Sequence, residues 1–424
     1  MNQDAIAPAP QAEPDAPSSA PSSRSLRGLD WFVFFVADVQ TGFGPFVSVY
    51  LTTQKWTQVD IGLVLSAAGL VSLFGQMPGG ALVDAARSER LVAGFAIGAI
   101  CVSALAYAAL PVFPMVLSAA ILQALASCVL GPAIAAISLG LVGHAAIGER
   151  LGRNARFASV GNGLAAAAMG ACGYLLSARA VFIVTVILLA PALAALRTIA
   201  EAEIDPERAH GAPPPRRAKR PTASPTTASL LGGSRPLLIF GGCLLLFHLA
   251  NAAMLPLMGS MVTMRSSRWA TVLIAACIVV PQLVVAVASP WVGARAQIWG
   301  RRPLLLIGFA ALPVRGILFA SVASPSLLVF VQVLDGITAA VFSVLVPLVV
   351  ADLTRGTGHF NLGQGIVGTF VGIGASLSAT LAGYCSDHFG GPAAFGGLAA
   401  IAFLGLVTAW FFMPETRPEA EADS

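Results

Sequence analysis

Residues 325–350 read PSLLVFVQVLDGITAAVFSVLVPLVV, 26 residues with a single charge, Asp335. At about 1.5 Å per residue a helix of this length is roughly 39 Å long, enough to cross the roughly 30 Å hydrocarbon core of a bilayer. No water reaches that core to satisfy exposed N–H and C=O groups, so a spanning segment must be a helix or a strand of a closed barrel. The run shows no period-two alternation, which selects the helix.

The rest of the chain reads the same way. Of its 424 residues 57% are hydrophobic and 10% charged, with a mean hydropathy of +0.82, too little charge to cover a water-facing surface. The fold class is therefore an all-α membrane protein. Apolar runs bounded by charges, Gly and Pro predict helices near 29–52, 60–82, 91–110, 114–142, 156–177 and 180–199, and again near 236–260, 269–292, 303–322, 325–350, 362–384 and 392–413. These make two six-helix bundles, 29–199 and 236–413, joined by a polar linker, 200–235, in which Arg216, Arg217, Lys219 and Arg220 cluster. Residues 1–28, rich in Ala, Pro and Ser, read as a disordered cytoplasmic tail, and 414–424 as a second tail.

Of the 24 lysines and arginines, 19 fall on the linker side. By the positive-inside rule that side is cytoplasmic, so both termini are expected inside a multi-pass protein of the inner (plasma) membrane. Cys101, Cys128, Cys172, Cys243, Cys277 and Cys385 all lie in or beside apolar runs without metal-ligand spacing, and read as small apolar residues. There is no Walker loop, HExxH or GxSxG. The expectation is a non-enzyme with no cofactor, no metal and no nucleic-acid partner.

The halves match at a nearly constant offset. Gln40 corresponds to Asn251 at 211, Gly80 to Gly293 at 213, Gln123 to Gln332 at 209, and Arg150 to Arg355 at 205. Ordered pairings of this kind are the trace of an internal repeat.

Gly293 to Pro303 read GARAQIWGRRP. This is similar to the loop pattern G-x-x-x-D-x-x-G-R-R of the major facilitator superfamily, with Gln297 in place of the acid, and the chain after residue 28 resembles that family. The loop after the second helix keeps Gly80, Asp84 and Arg90 but has Arg87 where glycine is expected. The resemblance implies twelve helices in two pseudo-symmetric halves, a monomer, and transport by alternating access. It also implies gating roles for Gly80, Asp84, Arg90, Gly293, Arg301 and Arg302, with glycines allowing close packing and charges pairing across the halves. Helix four keeps Gln123 of a further family motif, but Ala120 stands at its arginine position.

An ionisable side chain at mid-bilayer costs roughly 2.5–3.5 kcal/mol on insertion scales, so each needs a partner, a cavity or a task. Asp38 and Asp335 are the acids deepest in apolar runs, accompanied by Gln40, Gln123, His248, Asn251, Gln332 and Arg315. All except Arg315 fall on helices one, four, seven and ten, which the family resemblance implies line the central cavity. Asp38, Asp335 and His248 are thus candidate proton carriers, and Gln40, Gln123, Asn251, Gln332 and Arg315 candidate cavity residues. At similar depth, Arg315 and Asp335 form either a static ion pair locking two helices or a pair that Asp335 exchanges for a proton or a cationic solute. The leading expectation is proton-coupled export of a drug-like compound, metabolite or siderophore. The alternatives are proton-coupled import of a neutral nutrient, such as a nucleoside or sugar, and a non-transporting membrane receptor of the same fold.

Overall fold

The computed structural model describes residues 21–41, 47, 50, 51, 53–175, 177, 179–211, 235–258, 267–322 and 324–417; within these, the side chains of 38–41, 58, 59, 166, 170, 171, 173, 174, 267–275 and 325 are outside the description. Among the described residues there are twelve long helices and no strand. The first half holds α1 (Ser23–Thr41), α2 (Gln58–Asp84), α3 (Glu89–Ala109), α4 (113–142), α5 (144–175) and α6 (Ala180–Thr198). The second holds α7 (Arg235–Asn251), α8 (Ser267–Trp299), α9 (Arg301–Ser321), α10 (Pro325–Leu353), α11 (Phe360–Phe389) and α12 (Gly391–Phe412). Among the described residues ten stretches are long and apolar enough to cross a membrane, and one of them, Phe113–Met169, takes in α4 and most of α5. The break between these two is Gly143, at φ 67° and ψ 178°, a left-handed φ that a side chain would disfavour.

Each half has its own apolar core. One centres on Phe32, Ile97, Leu130 and Phe182. The other centres on Phe240, Phe309, Leu345 and Phe395, and reaches across the halves to Leu139, Ile147 and Leu151. The outside is apolar too: Phe74, Phe95, Val287 and Phe411 are exposed, as a lipid solvent permits. Cys128, Cys243 and Cys277 are buried, and all six cysteines are free thiols.

The repeat seen in sequence is also a repeat of contacts. α1 crosses α5 so closely that a Cβ at Gly161 would stand 2.1 Å from the Phe34 carbonyl oxygen; α7 crosses α11 with Gly374 and the Leu245 carbonyl oxygen at 2.3 Å. Between these contacts the glycines are 213 residues apart and the carbonyls 211.

Several boundaries differ from expectation. α1 starts at Ser23 rather than 29, because Ser22 is anchored: its N–H and hydroxyl donate to Glu203 at 2.9 and 3.0 Å. α5 starts at 144 rather than 156, since its early arginines find buried partners within a helix. The linker is ordered through Gly211, with a 3-10 turn (Glu201–Glu203) and a single helical turn (Pro206–Ala209) capped by the Asp205 side chain. Residues 1–20, 212–234 with their basic cluster, and 418–424 lie outside the described residues.

Candidate functional site

The halves meet along two seams at the end of the bundle that carries the linker. In the α2–α11 seam, Cβ atoms at Gly80 and Gly365 would stand 2.1 and 2.4 Å from the carbonyl oxygens of Asn361 and Gln76. In the α5–α8 seam, Cβ atoms at Gly293 and Gly152 would stand 2.3 and 2.5 Å from the carbonyl oxygens of Gly148 and Ser289. Every member of the second seam is the corresponding member of the first displaced by 213 positions. Backbone here packs on backbone, which only glycine allows. Toward the opposite end, Gly62 and Gly69 of α2 and Gly383 of α11 have nothing within 4 Å of a Cβ position.

Among the described residues, charge joins only one seam. The Asp84 carboxylate accepts from the Asn361 N–H at 3.1 Å, the Leu362 N–H at 2.7 Å and the Asn361 side-chain amide at 2.8 Å. It thereby caps the first turn of α11, where unpaired N–H groups and the helix dipole favour an anion. At the equivalent place in the other seam stands neutral Gln297. Its Nε2 is buried without a hydrogen-bond partner among the described residues, and a Cβ at Gly148 would lie 3.0 Å from it.

The arginines of the family pattern bond within their own halves, which corrects the expected pairing across them. Arg90 donates to the Ile199 carbonyl at the end of α6. Arg301 is buried, bonded to Asp352 at 2.8 Å and to the Ala296 carbonyl at 2.7 Å. The Arg302 side chain donates to the Trp410 carbonyl, and the N–H groups of Arg301 and Arg302 are capped by Glu415. Each braces a helix end against its neighbour.

The linker closes over this end of both halves. The Asp205 N–H donates to the Gly140 carbonyl at 3.2 Å, while the carbonyls of His210 and Gly211 accept from the N–H groups of Phe360 (3.1 Å) and Gly356 (2.7 Å). Nε2 of His210 lies 3.0 Å from Glu89 at the start of α3. The Glu89 carboxylate raises the His210 pKa above its ordinary 6.5, against the opposite pull of burial.

Deeper in the bundle, Arg315, Asp335 and Asn251 come together. Arg315 is 1% exposed; its Nη1 pairs with Asp335 and donates to the Asn251 Oδ1 at 2.7 Å, and its guanidinium lies 5.4 Å from the Phe319 ring. The Asp335 side chain keeps 23% exposure. The regular part of α7 ends at Asn251, and the Ala253 N–H donates to Ser378 of α11 at 3.0 Å. The site thus ties α7, α9, α10 and α11. His248, one turn earlier, stands edge-on to Phe247. Gln332 is fully buried and donates to the Cys277 carbonyl of α8 at 3.0 Å, so its amide joins two neighbouring helices. Gln123 is half-buried on α4. The side chains of Asp38 and Gln40, on the α1 backbone, lie outside the described residues.

Two features escaped the sequence. Asp30 is 2% exposed and pairs with Arg150 and, at 2.6 Å, with Arg153; Arg150 continues through Asn154 to Ser138 at 2.8 Å per bond. A helix start at 29 makes Asp30 a terminal residue, whereas a start at Ser23 puts it two turns inside. The second is a cavity of about 310 Å³ between the halves, where Gln76, Asn154, Ser343 and Gln364 supply polar groups among apolar walls. Nε2 of Gln364 has no hydrogen-bond partner among the described residues. Ser343 is two turns beyond Asp335 on α10, about 12 Å closer to the linker end.

The model of the Major Facilitator Superfamily matches residues 31–312 and 242–424. The chain belongs to the major facilitator superfamily. Two uncharacterized MFS-type transporters of Mycobacterium tuberculosis, from strains CDC 1551 and H37Rv, are each 41% identical over 401 residues, covering 93% of this chain and 94% of the relative. Solved superfamily folds superpose over nearly the whole length. A proton:xylose symporter, XylE, bound to 6-bromo-6-deoxy-D-glucose, gives a TM-score of 0.70 at 14% identity over 93% of this chain and 96% of its own. The human organic anion transporter MFSD10 (TETRAN) gives 0.65 at 16% identity over 91% and 99%. At these identities the likeness is one of fold. This superfamily member is a multi-pass membrane transporter.

Proposed function

We propose that the protein is a secondary transporter that exports a small, partly apolar organic solute in exchange for protons by alternating access, from an inner membrane with both termini in the cytoplasm. The observation that carries this reading is the Asp335–Arg315–Asn251 site. Arg315 is buried with one carboxylate beside it, and that carboxylate is itself partly open. Protonation of Asp335, or arrival of a cationic group there, removes the counter-charge of a buried guanidinium, an expensive state in a low-dielectric interior. The helices that hold the site have to rearrange in response, which couples ligation to the state of the halves. In this reading the paired glycine seams supply closure at the linker end, and the opposite end is where a solute and a proton would exchange. Asp38 and His248 remain further candidate proton carriers, and Gln40, Gln123 and Gln332 further candidate cavity residues.

The sparse charge around the cavity fits a drug-like compound or metabolite better than a phosphorylated solute. A second reading, proton-coupled import of a neutral nutrient, draws on the pocket of Gln76, Asn154, Ser343 and Gln364, whose groups are hydrogen-bonding and uncharged.

The test is transport in sealed vesicles of purified protein with an imposed pH gradient and a panel of candidate solutes, wild type against Asp335→Asn. Solute movement opposite to the proton flux, lost in the variant, is the expected result. Movement in the proton's direction replaces export by import. Gradient-driven movement that survives the substitution removes Asp335 from the coupling.

A further inference from the structure

A groove of about 1130 Å³ runs along the side of the bundle where α1, α5 and α8 meet. α1 and α5 lie parallel, since Leu26 and Asp30 meet Arg150 while Phe34 meets Gly161. Along both, the lining changes in the same order with distance from the linker end. On α1, Arg27 is followed by Trp31 and Phe34; on α5, Arg153 and Arg156 are followed by Phe157 and Val160. Arg27 and Arg156 are exposed and have no ion-pair or hydrogen-bond partner among the described residues. Arg153 keeps 55% of its side chain exposed although it pairs with Asp30, and its guanidinium lies 5.7 Å from the Phe157 ring. Glu149 at the margin and the buried Asp30 leave the four arginines of the groove with an excess of two positive charges.

We infer that this groove is a binding site for an anionic glycerophospholipid of the leaflet on the linker side. Its phosphodiester would lie among Arg27, Arg153 and Arg156, and an acyl chain would run along Trp31, Phe157 and Val160. Cations at one depth followed by aromatic and aliphatic surface at the next match the two parts of such a lipid. A free phosphate would use only the first. The far wall is Pro290 and Ala294 of α8, next to the contact of Gly152 with Ser289. A bound lipid would therefore touch both halves beside the α5–α8 seam, the one that lacks a carboxylate cap, and would favour the state in which that seam is closed.

The test uses the full chain in vesicles of zwitterionic lipid doped with equal fractions of either an anionic or a zwitterionic phospholipid brominated in its acyl chains. The signal is the difference in tryptophan fluorescence between wild type and Trp31→Phe, which isolates Trp31. Stronger quenching of Trp31 by the anionic lipid is expected, falling roughly fivefold for each arginine lost in Arg27→Gln and Arg156→Gln. Both residues are exposed, so the variants keep the fold. Equal quenching by the two brominated lipids would reduce the groove to ordinary bilayer contact and overturn the inference. Anionic selectivity that survives the double substitution would also overturn it. Relief of quenching by added inorganic phosphate would assign the arginines to a free anion instead; no relief supports the lipid.

Discussion

The carboxylate of Asp84, last residue of α2, holds the N–H of Asn361 at the start of α11, 277 residues later and in the other half of the molecule. Its counterpart, Gln297, brings no charge to the matching seam. The two seams share one backbone geometry and differ in their electrostatics: among the described residues a carboxylate bridges the α2–α11 seam and none bridges the α5–α8 seam.

Asp84→Asn is expected to weaken linker-end closure by roughly 1–2 kcal/mol, a five- to thirty-fold population shift, through loss of charge-assisted bonds to a helix N-terminus. Spin-label distances between α2 and α11 near this end would show it as a larger open fraction. An unchanged distribution would mean that glycine packing alone sets the balance.

Gln297→Glu is expected to act in the opposite direction. It places a carboxylate beside the first turns of α5 and next to Arg301, so the closed fraction should rise. The same distance measurement across α5 and α8 decides the sign.

Gly80→Ala and Gly293→Ala should both abolish transport while leaving each half folded, because the added methyl meets a carbonyl oxygen of the opposite half. Circular dichroism and thermal stability near wild type, with transport near background, is the expected combination. Normal transport in either variant would show that the seam opens to admit a methyl group without loss.

Asp335→Asn should destabilise the protein by roughly 3–5 kcal/mol by leaving Arg315 buried without its counter-ion. Asp335→Asn combined with Arg315→Gln should recover much of that loss. Thermal unfolding checks the recovery, and the double variant should still lack proton-coupled transport.

The contact between His210 and Glu89 is expected to make linker closure depend on pH. The folded-state pKa of His210 is raised, so its stabilisation is fully present below the ordinary imidazole value of 6.5 and is lost as pH rises through the higher folded value. Hydrogen exchange in residues 201–211 should therefore show protection that falls on the alkaline side of 6.5, beyond the intrinsic rise of exchange with pH. In Glu89→Gln that extra step should shrink and move to lower pH.

Much of the architecture is legible in the amino-acid sequence, because lipid as solvent imposes a local rule. Each spanning run must be apolar and helical, so runs such as 325–350 reveal themselves one at a time, and the near-constant offset between Gly80 and Gly293 exposes the repeat. Asp335 and Arg315 are visible for the same reason, as charges where charge is costly. Asp30 is hidden, because the apolar pattern places the start of its helix six residues too late. Partner choice is not legible at all: Arg90, Arg301 and Arg302 look alike in a loop pattern, yet each bonds within its own half while Asp84 alone reaches across.

Sequence by itself therefore determined an all-helical membrane protein of two repeated halves, since hydrophobic length and spacing are properties of the chain taken segment by segment. Tertiary structure decided which glycines face which carbonyls, which arginine brings Asp30 into the interior, and where the linker lies across the halves. Those depend on how rigid helices with many possible rotations and neighbours dock together, and steric fit and charge pairing select among them only once the whole bundle is assembled.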